Sequence, residues 1–259
     1  MCKAISVDMG IKGFFNKAVR MLFGTSVKFR LENGDKVTVW ENSAEKKLIY
    51  DGYTYSKIPK KGIFTHEYWD YLLPLAYIHN DSKILMIGLG GGTMPWQLSM
   101  LNCNASITAV ESSRKIVEIE GTFIGDLQNL NVVVGDGAGY VANASEKYNL
   151  IILDAYVSRN IPSEFLGSKF IEDSYHALTD DGILAVNYIT DLELHKYLQL
   201  LGARYKVFLV GTSAFSANSI IIASKSLGKQ EISRQVTAAM PGNEESSFII
   251  DAYMRMLEG

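Results

Sequence analysis

The chain has 259 residues, of which 47% are hydrophobic and 20% charged, with a formal net charge of −3. Such a length and balance suit one large domain, or a main domain with an appendage, around a sizeable core. The slight acidic excess excludes a protein that coats nucleic acid by charge alone, so no nucleic-acid partner is expected, and no run of about 18 apolar residues marks a membrane span.

Near the start, Ile11, Phe14, Phe15, Ala18 and Leu22 share one helical face, with Lys12, Lys17 and Arg20 off it. This pattern predicts an amphipathic helix that packs on the protein body or a partner subunit, or lies on a membrane surface. The segment has no signal-peptide apolar region, and a cytoplasmic location is expected. Val27, Phe29 and Leu31 then alternate with polar residues, Asn33-Gly34 follows, and Val37 and Val39 resume the alternation. Asp51-Gly52 sits likewise between Leu48-Ile49-Tyr50 and Tyr53 and Tyr55. Asn-Gly and Asp-Gly between such runs are hairpin signals, so residues 24–60 predict a small antiparallel sheet. Residues 64–77 are aromatic-rich and predict a helix interrupted at Pro74.

From there strands and helices alternate. Strands are predicted at 84–87, 107–110, 132–134, 150–153, 183–186, 206–210 and 219–223. Helices are predicted at 95–101, 114–123, 168–178 and 192–201, with a closing helix at 246–257. Alternating units of this length imply a mostly parallel sheet covered on both faces. The short link at 211–218 suits a hairpin, which makes the last strand antiparallel. The fold class is therefore α/β: a Rossmann-like class I methyltransferase fold with a seven-stranded sheet, preceded by the small antiparallel sheet. The division expected is 1–62 for the N-terminal helix and sheet, and 63–259 for the Rossmann-like domain.

The first buried strand, Ile84-Leu-Met-Ile87, runs into Gly88-Leu89-Gly90-Gly91-Gly92. A glycine-rich turn between strand and helix lets the backbone approach a ligand and aims free N–H groups at it. Glu111 ends the second strand, about 20 residues on, where a carboxylate can accept from ribose hydroxyls. Asp136, in Gly135-Asp136-Gly137, ends the third, where it can accept from an adenine amino group. Asp154 ends the fourth. Each has a plainer reading: glycines for close packing, Asp136 as a turn residue, Asp154 as a helix cap. Their order along successive strand ends favours a binding crevice. A dinucleotide fingerprint would need glycine where Thr93 stands. The pattern therefore fits S-adenosylmethionine or a relative better than NAD. The cysteines, Cys2 and Cys103, form no C-x-x-C pair, and the four histidines, His66, His79, His176 and His195, form no H-E-x-x-H motif, so no metal is expected.

The segments Leu48-Ile-Tyr-Asp-Gly52, Phe64-Thr-His-Glu67, Ile84 to Thr93, Val110-Glu111, Val134-Gly-Asp-Gly137, Tyr148 to Asp154 and Asp181 to Asn187 together resemble the spermidine synthase-like family of class I methyltransferase folds. The resemblance implies that Gly88, Gly90 and Gly92 line the methionine-derived tail, that Glu111 holds the ribose, and that Asp136 and Gly137 hold the adenine. His66 and Glu67 match a Tyr-His-Glu motif bordering the site; capping the 64–77 helix is the alternative. Two family acids are missing. Gly91 stands where polyamine synthases carry an aspartate facing the tail and amine. Val157, in Asp154-Ala-Tyr-Val157, stands where they carry the aspartate that helps deprotonate the attacking amine. The glutamine expected after Asp51-Gly52 is replaced near Tyr55.

An alkyl ammonium must lose a proton before it can attack a sulfonium. Losing two charge-assisted hydrogen bonds removes ~3–6 kcal/mol, roughly 10²–10⁴ in kcat/KM. On this ground the leading expectation is methyl transfer from S-adenosylmethionine to an unidentified small-molecule acceptor. Asp154 would sit beside the sulfonium or orient the acceptor, Tyr156 would line the acceptor pocket, and the 157–165 loop would cover it. The alternatives are aminopropyl transfer from decarboxylated S-adenosylmethionine, with Glu67 or Glu164 as a recruited acid, and a non-catalytic ligand-binding or scaffold homologue. Exposed apolar faces of the N-terminal helix and sheet make a homodimer an expectation.

Overall fold

The computed structural model describes residues 24–157, 160–212, 217–240 and 244–258. The helix expected at 11–22 lies outside them. A four-stranded antiparallel sheet comes first, in the order β1 (Thr25–Arg30), β2 (Lys36–Glu41), β3 (Glu45–Tyr50) and β4 (Tyr53–Pro59). Asp51 and Gly52 adopt φ of +50° and +79°, the left-handed pair that a two-residue hairpin between right-twisted strands requires.

The large sheet holds β5 (Lys83–Ile87), β6 (Ser106–Glu111), β7 (Leu130–Val134), β8 (Tyr148–Leu153), β9 (Leu178–Ile189), β10 (Lys206–Gly211) and β11 (Asn218–Ser224). Their order is β10-β11-β9-β8-β5-β6-β7, and β11 runs antiparallel to both its neighbours. β5 pairs with β6 on one side and β8 on the other, so the chain reverses its direction of winding at the carboxyl end of β5. That reversal opens the crevice typical of open α/β sheets. The helices are α1 (Thr93–Met100), α2 (Arg114–Ile124), α3 (Gly137–Ala142), α4 (Ser168–Ala177), α5 (Leu194–Gly202), α6 (Lys229–Ala239) and α7 (Ser247–Glu258).

Alternate residues of the central strands feed two cores. Ile84, Met86, Leu150 and Ile152 face α6 and α7, while Leu85, Ile87, Ile151 and Leu153 face α3, α4 and α5. Strands buried on both faces explain why they read as continuous apolar runs. The small sheet has its own seam, where Val37, Leu48 and Tyr50 pack on Ile116, Ile119 and Phe123 of α2.

Residues 64–77 do not form the expected helix. They form two 3-10 turns, Tyr68–Tyr71 and Leu73–Tyr77, with Pro74 opening the second. Their residues are buried on more than one side, so no single apolar stripe is available to an α-helix, and fully buried Asp70 draws the backbone of 65 and 66 into side-chain hydrogen bonds. Among the described residues no helix is long and apolar enough to cross a membrane.

Candidate active site

Gly88, Gly90 and Gly92 take φ of +88°, +54° and +78°. A Cβ at Gly88 would collide with the Asp154 carbonyl, and one at Gly90 would lie 2.9 Å from Ser56 Oγ. The loop thus needs glycine both for its left-handed backbone and for close contact with β8 and β4. Ser56 Oγ accepts from Gly91 N (2.6 Å), and Lys57 N donates to Thr93 Oγ1 (2.9 Å). The small sheet therefore holds the glycine loop in place. A side chain at Gly91 would meet the Phe123 ring at 2.9 Å and Ser56 at 3.0 Å, so the space an acid would occupy is already filled.

A cleft of about 540 Å³ opens between the β3–β4 turn, the 66–68 segment, the glycine loop and the carboxyl ends of β8 and β9. Asp154 lies on its floor. Tyr68 Oη donates to both carboxylate oxygens (3.1 and 3.0 Å), and Asn187 Nδ2 donates to Oδ1 at 2.8 Å. Asn218 Nδ2 in turn donates to Asn187 Oδ1 (2.7 Å), which fixes the direction of that amide. Burial drives the Asp154 carboxyl above the usual carboxylate range; the bonds from Asn187 and Tyr68 oppose this, and the negative Glu111 adds to it. The result is a desolvated carboxylate that holds a proton more tightly than one in water. Burial likewise raises the Tyr68 and Tyr156 hydroxyls, so both stay protonated donors. Tyr156 Oη donates to the Asn187 carbonyl (2.7 Å) and accepts from Ile189 N (3.1 Å), which braces the wall.

His66 and Glu67 stand on the rim. His66 has φ of +60°, held by its N–H to Asp70 Oδ2 (2.7 Å) and by its ring against Phe248, 4.6 Å between centroids. Buried Asp70 also accepts from Thr65 N, Thr65 Oγ1 and Gln97 Nε2. Glu67 makes no side-chain cap for the turn that follows; its carboxylate lies 3.5 Å from Lys57 Nζ.

Of the residues singled out from sequence, Asp154, Tyr156, His66, Glu67 and Gly90 line the cleft together. Glu111 sits behind it, accepting from Leu89 N (3.1 Å) and Ser113 N (2.9 Å). Gly88 packs under Asp154, Gly92 against Ile124, and Gly137 against Ile87. Asp136 caps α3, accepting from Ala138 N (3.1 Å) and Gly139 N (3.0 Å), a helix-cap role that the sequence reading gave to Asp154 and not to Asp136. Val157 is 60% exposed, and neither Glu164 nor any described residue of 157–165 lines the cleft. The expected cover from that loop is therefore absent among the described residues. Tyr68, Asn187 and Asn218 escape sequence reasoning; a polar Asn187 closing the apolar run 183–186 was the available signal. Two carboxylates and no Lys or Arg line the cleft among the described residues, which suits a cationic ligand and opposes a phosphate.

Residues 64–210 match the spermine/spermidine synthase domain. The chain belongs to that family. It is 30% identical over 128 residues to a probable polyamine aminopropyl transferase of Bifidobacterium longum, covering 49% of this chain and 28% of the relative. It is 33% identical over 119 residues to a polyamine aminopropyltransferase of Clostridium botulinum, covering 43% of this chain and 42% of the relative. The matched stretch thus spans less than half the length of these curated relatives. A probable spermidine synthase from Corynebacterium glutamicum shares the fold with a TM-score of 0.70 at 15% identity, over 88% of this chain and 95% of that one. The expectation of methyl transfer is corrected here: the domain family and the named relatives point to aminopropyl transfer, the alternative it was ranked above. Two family acids are missing at Gly91 and Val157, while the remaining floor acid, Asp154, keeps Tyr68 and Asn187 as partners.

Proposed function

We propose that the chain transfers an aminopropyl group from decarboxylated S-adenosylmethionine to an amine. The observation that carries this reading is the half-buried Asp154 carboxylate, held by Tyr68 and Asn187, in a cleft without a described Lys or Arg. The donor supplies a sulfonium whose propyl carbon is open to displacement and whose far end is an ammonium. Leu89 and Gly90 give the cleft a backbone surface beside which such a donor fits, with Glu111 fixing that loop and retaining lone pairs for hydroxyl groups. Asp154 orients the amine and accepts its proton as the new C–N bond forms; the C–S bond breaks and its electron pair stays on sulfur, leaving a neutral thioether. Raised basicity from burial suits Asp154 to that proton. Alignment of amine, carbon and sulfur supplies most of the remaining acceleration, up to ~7–11 kcal/mol in well-oriented systems.

The test is to incubate the purified protein with the donor and a mixture of primary amines. Mass spectrometry should find 5′-methylthioadenosine and an amine heavier by one aminopropyl group. Donor left intact with every amine would refute the reading.

A further inference from the structure

From the distribution of charge around the cleft we propose that the preferred acceptor is a primary monoamine with an apolar or aromatic far end, not an α,ω-diamine; this rests on the aminopropyl-transfer reading above. The donor brings two positive charges, a sulfonium and an ammonium. A diamine that attacks through its neutral end still carries an ammonium at the other, and a monoamine carries none.

The described part of the cleft holds two carboxylates for these charges, Asp154 and Glu67. Asp154 lies between the glycine loop and the tyrosines, where it meets the reacting groups. Glu67 lies on the rim, and Lys57 Nζ, 3.5 Å away, already offsets its charge. Lys57 is itself held by the Thr65 carbonyl at 3.0 Å and by Glu45 at 3.7 Å, so it is a fixed part of this rim. The position that would add an acid from the glycine loop, Gly91, is closed by Phe123 and Ser56.

The rest of the acceptor side sets tyrosine rings among the polar side chains of Thr54, Asn187, Thr212 and Asn218. Tyr53, Tyr55, Tyr68 and Tyr156 all contribute surface, with Ile189 beside them. Tyr68 and Tyr156 spend their hydroxyls on Asp154 and on the β9 backbone, which leaves ring faces and edges toward the ligand. The tyrosine faces suit an alkyl or aryl tail, and no described lining residue beyond Asp154 and Glu67 offers a second ammonium a carboxylate.

The experiment compares 1,4-diaminobutane, n-pentylamine and 2-phenylethylamine in two measurements on the full chain. Calorimetric binding is measured with 5′-methylthioadenosine present, and turnover is measured with decarboxylated S-adenosylmethionine. The monoamines should bind about tenfold or more tightly than the diamine, with kcat/KM in the same order. Tyr55→Leu should reduce the preference for 2-phenylethylamine over n-pentylamine. Equal or tighter binding of the diamine, or no binding of any amine, overturns the inference. Ranked binding without turnover of the donor leaves the acceptor class supported and overturns the transfer reading instead.

Discussion

Glu120→Gln tests whether the packing under the glycine loop behaves as its geometry implies. Glu120 lies on α2 with 6% of its surface exposed, and its Cγ would come within 3.3 Å of a Cβ at Gly92. Burial, with a smaller contribution from Asp126, raises its carboxyl from 4.5 to about 7. The folded state therefore holds this proton more tightly than the unfolded chain does. Stability from the protonated form is complete below about pH 4.5 and declines as pH rises toward 7, because ionised Glu120 is penalised in the fold. At about 1.4 kcal/mol per pKa unit, the full penalty above pH 7 is about 3 kcal/mol. Glutamine keeps the shape of the protonated acid and removes the titration. Urea unfolding at pH 8 should show the variant more stable by about 2–3 kcal/mol, with most of that gain absent at pH 5. The corresponding rise in Tm at pH 8 is roughly 4–12 °C. A variant no more stable at pH 8, or stabilised equally at both pH values, would refute the reasoning.

Three further outcomes follow from the site. Tyr68→Phe removes a hydrogen bond to the ionised Asp154, which should lower kcat/KM by roughly 10–100-fold. Because that bond favours the charged form, its loss raises the Asp154 carboxyl further, so the acidic limb of the pH–rate profile should move to higher pH; an unmoved limb would contradict the assigned contact. Asp70→Ala leaves the buried Thr65 N–H and hydroxyl without their shared acceptor and removes one from His66 N and Gln97 Nε2, and should cost about 3 kcal/mol in denaturant unfolding. Gly88→Ala puts a Cβ into the Asp154 carbonyl in a left-handed backbone, and should lower both stability, by about 2 kcal/mol or more, and kcat/KM.

The parallel sheet was legible because residues 84–87 of β5 and 150–153 of β8 are buried and so apolar without interruption, and the two hairpins because Asn33-Gly34 and Asp51-Gly52 declare their turns. α3 was not legible: its residues, Gly-Ala-Gly-Tyr-Val-Ala, have poor helix propensity, and the Asp136 cap sets its start. α6 was missed because its apolar stripe reduces to Ile232 and Val236. Residues 64–77 were misread because aromatic burial from several directions resembles a helical pattern in one dimension. In the site, Asp154 was found from its place at a strand end. Tyr68 and Asn187 were not, since their roles come from contacts 86 and 33 residues away in the chain. The absences at Gly91 and Val157 were correctly read as local facts, but their weight depended on the partners Asp154 has in space, which no local spacing reveals.

The most direct measurement of the central claim is the kcat/KM for decarboxylated S-adenosylmethionine, at saturating amine, in wild type and Asp154→Asn. Asparagine keeps the shape and can neither take a proton nor offset positive charge. The fall should be about 10²–10⁴-fold, with the fold intact by circular dichroism. An Asp154→Asn variant that transfers the aminopropyl group at the wild-type rate would contradict the account.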